Sequence, residues 1–157
     1  MQTATVSELK KELATRSPKE LLEICLTLSK FKKENKELLT YLLYEASNEE
    51  NYIEEVKQTI DTDFAAIATT RFYLVKKQIR KILKNTKKHI RYSKKKPTEI
   101  ELLLHFCKTL QSSYPAFHRS RVLQNMFDTQ VRMIERKIEK VHEDLQYDYT
   151  IELEELL

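Results

Sequence analysis

A chain of 157 residues, 41% of them apolar and 33% charged, is long enough to bury about two thirds of the surface its unfolded form exposes. It contains no glycine, which excludes P-loops, dinucleotide fingerprints, nucleophile elbows and tight primed hairpins, since all of these need φ > 0 or close backbone approach. The net charge of +4 hides three blocks: nine bases against thirteen acids up to Asp63, twelve bases and no acid between Phe64 and Thr98, then seven bases against eleven acids from Glu99 onward.

Apolar residues recur at intervals of three and four along the whole chain, so the elements are predicted to be helices. The first runs from Val6 to Arg16, with Thr5 and Glu8 spaced as a capping box. Pro18 to Lys32 follows, opened by Ser17, Glu20 and a proline at the first helical position, and Lys36 to Ala46 is its antiparallel mate. Ser47 and Glu50 mark a helix from Glu49 to about Thr62. A long basic helix spans about Thr69 to Ser93. It is separated from its predecessor because Thr62, Asp63, Thr69 and Thr70 favour caps over helix interiors. Pro97 stops the basic segment, and Thr98 with Glu101 opens a helix reaching Ser112. The last helix is expected from about Ser120 to Tyr147.

The resulting fold class is all-α, a single domain over residues 1–147 with about six to seven helices in antiparallel pairs. Two arrangements fit, a HEAT- or armadillo-like stack and an irregular helical bundle. The first draws on a faint echo, in which Glu20-Leu21-Leu22 and Cys25-x-Thr27-Leu28 reappear as Glu101-Leu102-Leu103 and Cys107-x-Thr109-Leu110. The Cys-x-Thr-Leu matches lie 82 residues apart, close to two such repeats. Residues 148–157 form an acidic, hydrophobic tail, in which Tyr149, Ile151 and Leu153 alternate with polar positions. Cys25 and Cys107 sit in Leu-rich helices and are expected to be buried, reduced and unpaired.

The basic segment holds the candidate site. At about 100° per residue, Phe72, Val75, Ile79, Ile82, Leu83 and Ile90, with Thr86, form one buried stripe. Lys76, Lys77, Arg80, Lys81, Lys84, Lys87, Lys88 and Arg91 fill the adjoining arc with Tyr73 among them, and Lys94, Lys95 and Lys96 extend it. Like charges at i, i+4 oppose helix formation, so an anionic partner is expected to offset them. The candidates are an acidic protein surface, the chain's own C-terminal tail or that of a second copy in a homodimer, and RNA or DNA, with Tyr73 or Tyr92 stacking on an unpaired base. A solvated face with no dedicated ligand is the bland alternative.

Catalysis is not expected. The carboxylate pairs Glu49-Glu50, Glu54-Glu55 and Glu154-Glu155 are sequence neighbours, so their side chains diverge by about 100° on a helix. His105 reads as a core histidine, and His118 with Arg119 as a polar loop before a helix. No cofactor or metal is indicated, because there is no CxxC and no His at ligand spacing. The absence of a signal-like start or a long apolar run points to a cytoplasmic protein without membrane insertion.

Overall fold

The computed structural model describes all residues 1–157. It is 82% helical with no strand, as the apolar periodicity predicts. The chain divides into two compact units, Met1–Tyr44 and Glu45–Leu157, so the boundary lies well inside the single domain expected over 1–147.

The N-terminal unit consists of α1 (Val6–Ala14), α2 (Pro18–Phe31) and α3 (Lys33–Thr40), which runs on into a π-turn from Tyr41. Both capping boxes form. Glu8 accepts from the Thr5 amide at 2.7 Å and Glu20 from the Ser17 amide at 2.8 Å. These hydrogen bonds hold both carboxyls below the usual glutamate range. Arg16 lies 3.5 Å from Glu12 and 3.6 Å from Glu20, tying the end of α1 to the start of α2. The Asn35 side-chain amide donates to the Leu28 carbonyl at 2.8 Å and pins the turn between α2 and α3. Despite this local order, none of the three helices contains a fully buried residue.

Helix α2 explains why. Its apolar residues cover an arc of roughly 220°, much wider than the stripe of a one-sided surface helix. Within this unit only α3 packs closely on it. Leu22, Leu26, Leu28 and Phe31 stay exposed, and so does Cys25, contrary to the expectation of a buried thiol.

The C-terminal unit holds α4 (Glu49–Ala65), α5 (Phe72–Ser93), α6 (Lys96–Ser113), a 3-10 turn (Pro115–Arg119), α7 (Arg121–Ile138) and α8 (Glu143–Glu154). Helix α6 is its axis and packs against α4, α5, α7 and α8. Ile100, Leu102, Leu103, Leu104, Phe106, Cys107 and Leu110 are all sealed from solvent, covering several faces of the helix. Phe106 meets Phe64 of α4 at 5.6 Å between ring centroids, and Phe127 of α7 meets Phe117 at 5.0 Å. A central helix wrapped by four others is bundle packing, whereas repeats in a solenoid touch only their sequence neighbours. The echo between α2 and α6 carries no structural equivalence, because Cys25 is exposed and Cys107 is buried.

Several boundaries moved. The expected split between α4 and α5 is present, with residues 66–71 outside either helix. The cap of α4 is Asn48, which accepts from the Asn51 amide at 3.2 Å, not Ser47. Thr98 does not cap α6 either. It is buried within the first turn and donates its hydroxyl to Glu49 at 2.6 Å; the Ser93 hydroxyl donates to the same carboxylate oxygen. The other oxygen of Glu49 receives Lys95 at 3.0 Å. This carboxylate from the start of α4 thus holds the turn between α5 and α6. There Lys94 adopts φ 60°, a left-handed conformation usually given to glycine at a helix C-terminus.

The expected last helix is broken at residues 139–142, where α7 ends and the chain turns into α8. Tyr149, Leu153 and Leu156 of the former tail are buried, and the Gln111 amide donates to the Leu156 carbonyl at 2.8 Å. Residues 148–157 therefore belong to the bundle.

Candidate partner-binding groove

Helix α5 presents the cations much as its periodicity predicts. Val75, Ile79, Ile82, Leu83, Thr86 and Ile90 are buried, while Phe72 at the first turn is partly exposed. Lys77, Arg80, Lys81, Lys84 and Arg91 are exposed and carry no ion pair, although acids abound elsewhere in the chain. Lys76 lies over the Phe72 ring at 4.7 Å. Lys87 and Lys88 are half-buried.

Other members of the predicted strip are engaged in holding the fold. Lys95 is the counter-ion of Glu49, and Lys96 donates to the Lys140 carbonyl at 3.1 Å. Lys94, in its left-handed turn, stays exposed. The two tyrosines offered for stacking also part company: Tyr73 is 71% exposed, whereas Tyr92 is 8% exposed and sits edge-on against His89.

The tail does not serve as the counter-charge of α5. Helix α8 packs against α6 and α7, and Glu152 pairs with Lys108 of α6 at 2.9 Å. The Tyr149 hydroxyl donates to Glu101 at 3.2 Å, and burial together with that carboxylate pushes its ionisation well above the ordinary tyrosine range. Glu101 also receives Lys57 of α4 at 3.1 Å. Burial alone would lower the Lys57 ammonium, but its hydrogen bonds to Glu54 and Glu101 outweigh it and the net shift is upward.

Arg80, Lys84, Lys87 and Arg91, spaced by four, three and four, fall within an arc of roughly 60° and form one ridge about 16 Å long. Tyr73 lies on the same line toward the start of the helix. This ridge edges a groove with a cavity of about 510 Å³, within the range of roughly 300–1,000 Å³ typical of ligand sites. Its apolar lining comes from Leu83 and Ile90 of α5, Leu103 of α6, and Met126 and Met133 of α7. Glu99 is the acid in the lining, and it is neutralised by Lys137 at 2.6 Å.

Lys87 reaches across this groove. Its ammonium lies 3.8 Å from the Met133 sulfur and has no carboxylate at ion-pair distance. Burial lowers its pKa, opposed by the field of Glu99. A thioether is a weak acceptor, so this half-buried cation has a poor partner in Met133 and feels Glu99 only at a distance.

The four histidines lie on different elements, His89 on α5, His105 on α6, His118 in the 3-10 turn and His142 at the cap of α8. His105 Nε2 faces Asp61 at 2.7 Å, and the Thr109 hydroxyl donates to the same oxygen at 3.1 Å, a bridge between α4 and α6. His105 is thus half-buried and paired, not a core residue. His118 stacks on Phe117 at 4.0 Å and faces Gln124 at 3.1 Å. The groove itself lay beyond the reach of the sequence reading, since its lining comes from three helices. The one local trace was Met126 and Met133, seven residues apart on a face of α7. The chain matches no protein-family model, no curated protein and no solved structure.

Proposed function

We propose that this protein is a non-catalytic helical interaction module whose basic α5 face binds an acidic segment of a partner protein. The observation that carries the reading is the ridge Arg80, Lys84, Lys87 and Arg91, in which no cation is paired with an acid. Like charges at these spacings oppose helix formation by a few tenths of a kcal/mol per pair. The burial of α5 offsets that cost, and a chain of external carboxylates would remove it. The alternative reading is nucleic acid. It is weakened by the burial of Tyr92, which leaves Tyr73 as the exposed aromatic of the basic face, whereas single-strand binders use several stacking platforms. The exposed thiol of Cys25 and the unpaired Cys107 support a reducing, cytoplasmic setting.

Fluorescence anisotropy with a labelled acidic peptide and with single-stranded RNA and DNA tests the reading at low salt. The wild type is expected to bind the peptide with an affinity that falls as salt rises. The combined variant Arg80→Glu, Lys84→Glu, Arg91→Glu should lose at least about tenfold, worth ~1.4 kcal/mol. Absence of peptide binding, or a variant equal to wild type, overturns it. Tighter binding of nucleic acid with a steep salt slope moves the assignment to the alternative.

A further inference from the structure

We infer that the groove between α5, α6 and α7 receives the apolar side of an acidic amphipathic helix, with carboxylates of that helix meeting the ridge on α5. The inference rests on the interaction reading above and specifies the form of the partner. Three observations carry it. The ridge borders an apolar floor, so a ligand that satisfies both must have a charged side and an apolar side. Two methionines line the cavity, and their unbranched, polarizable side chains adapt to apolar side chains of differing shape. Lys87 stands between ridge and floor with a sulfur where a carboxylate would serve it better. An incoming acid beside an apolar anchor would complete that contact.

An all-helical protein has no sheet edge for strand addition, and an amphipathic helix laid in a groove is the mode that presents an acidic side to the ridge and an apolar side to the floor together. The ridge spans about 16 Å, which corresponds to about three turns of a partner helix. A segment with apolar residues at i, i+3, i+4 and i+7 presents one stripe of matching length. Its acids, flanking that stripe, come within reach of Arg80, Lys84, Lys87 and Arg91. Nucleic acid satisfies the ridge but not the floor, which has no aromatic ring among its lining residues.

Two labelled peptides of identical composition test the inference, both rich in Glu and Leu. In one the leucines fall on a single helical face, and in the other they are distributed around the helix. Wild type is expected to bind the first at least about tenfold more tightly, because only it can fill the floor while pairing with the ridge. Met126→Gln and Met133→Gln, which make the floor polar without adding charge, should remove that preference while leaving the weaker binding of the distributed peptide nearly unchanged. Met133→Gln keeps the side-chain size and guards against misfolding, which circular dichroism of each variant monitors. Lys81→Glu, off the groove, should affect both peptides equally. Equal affinity for the two peptides, insensitive to either methionine, overturns the groove assignment while leaving the basic-face reading intact. Failure of the wild type to bind either peptide removes that reading as well. A nucleic acid whose binding is abolished by the uncharged Met126→Gln would also overturn the inference, by giving the floor a different occupant.

Discussion

The two units divide the usual sources of stability between them. Residues 1–44 carry two complete capping boxes and a bridging arginine, with α3 left uncapped, yet α1 to α3 bury no side chain completely. Residues 45–157 cap α4, α7 and α8 through Asn48, Ser120 and His142, while α5 and α6 lack any side-chain cap. Their core nevertheless includes fourteen side chains that are almost wholly sealed, among them Phe106, Phe117 and Ile79. The contrast shows that caps decide where a helix begins, and neighbours decide whether its apolar face is used. A cap contributes about 1 kcal/mol, while one buried leucine contributes roughly 1.5–3 kcal/mol.

The same substitution made in each unit sharpens the contrast most. Leu104→Ala empties a site that is 1% exposed and should cost about 2–5 kcal/mol. Leu26→Ala removes a side chain already 44% exposed and should cost no more than about 0.5–1 kcal/mol. Urea denaturation followed by circular dichroism measures both. Equal losses would break the comparison.

The cysteines offer a second probe, one in each unit. Native Cys25 is expected to react with a thiol reagent roughly a hundredfold faster than Cys107, which reacts only after local opening. Cys25→Ser should be nearly neutral for stability. Burial pushes the Cys107 thiol up from 9.0 to about 12. Because its folded pKa is raised, its contribution is intact below about pH 9 and is lost as the pH climbs toward 12. An alkaline titration of stability in wild type and Cys107→Ala reads that loss as the difference between them. Rapid labelling of Cys107 at neutral pH would contradict its burial.

The smallest expected effect concerns the turn between α5 and α6. A non-glycine residue in the left-handed region is strained by about 1 kcal/mol, and Lys94 is the residue of this chain with positive φ. Lys94→Gly should therefore stabilise the C-terminal unit by up to about 1 kcal/mol, offset in part by the greater freedom of glycine in the unfolded state. Lys94→Ala should not. A thermal melt in which the two variants behave alike would show that the Glu49 cluster, and not Lys94, sets the conformation.

Much of the fold was legible in the residues. Thr5 with Glu8 and Ser17 with Glu20 marked helix starts because both halves of a capping box lie within one turn and need no tertiary partner. The stripe on α5 was legible for the same reason, since a spacing of three and four residues fixes a face wherever the helix forms. Thr98 misled because its local partner, Glu101, was outcompeted by Glu49, 49 residues away. The break at residues 139–142 has no local signal, since neither glycine nor proline marks it; α8 folds back to bury Tyr149, Leu153 and Leu156.

The helical class, the starts of the first two helices and the strongly cationic face of α5 are encoded locally, because each depends on residues within a turn or two of one another. Which apolar residues become core, the contacts of Lys95 with Glu49 and of Lys96 with the Lys140 carbonyl, and the groove lined by Met126 and Met133 beside the ridge of α5 emerge in three dimensions alone. Those outcomes depend on contacts between helices far apart along the chain, and their strength is set by burial, which no local spacing encodes.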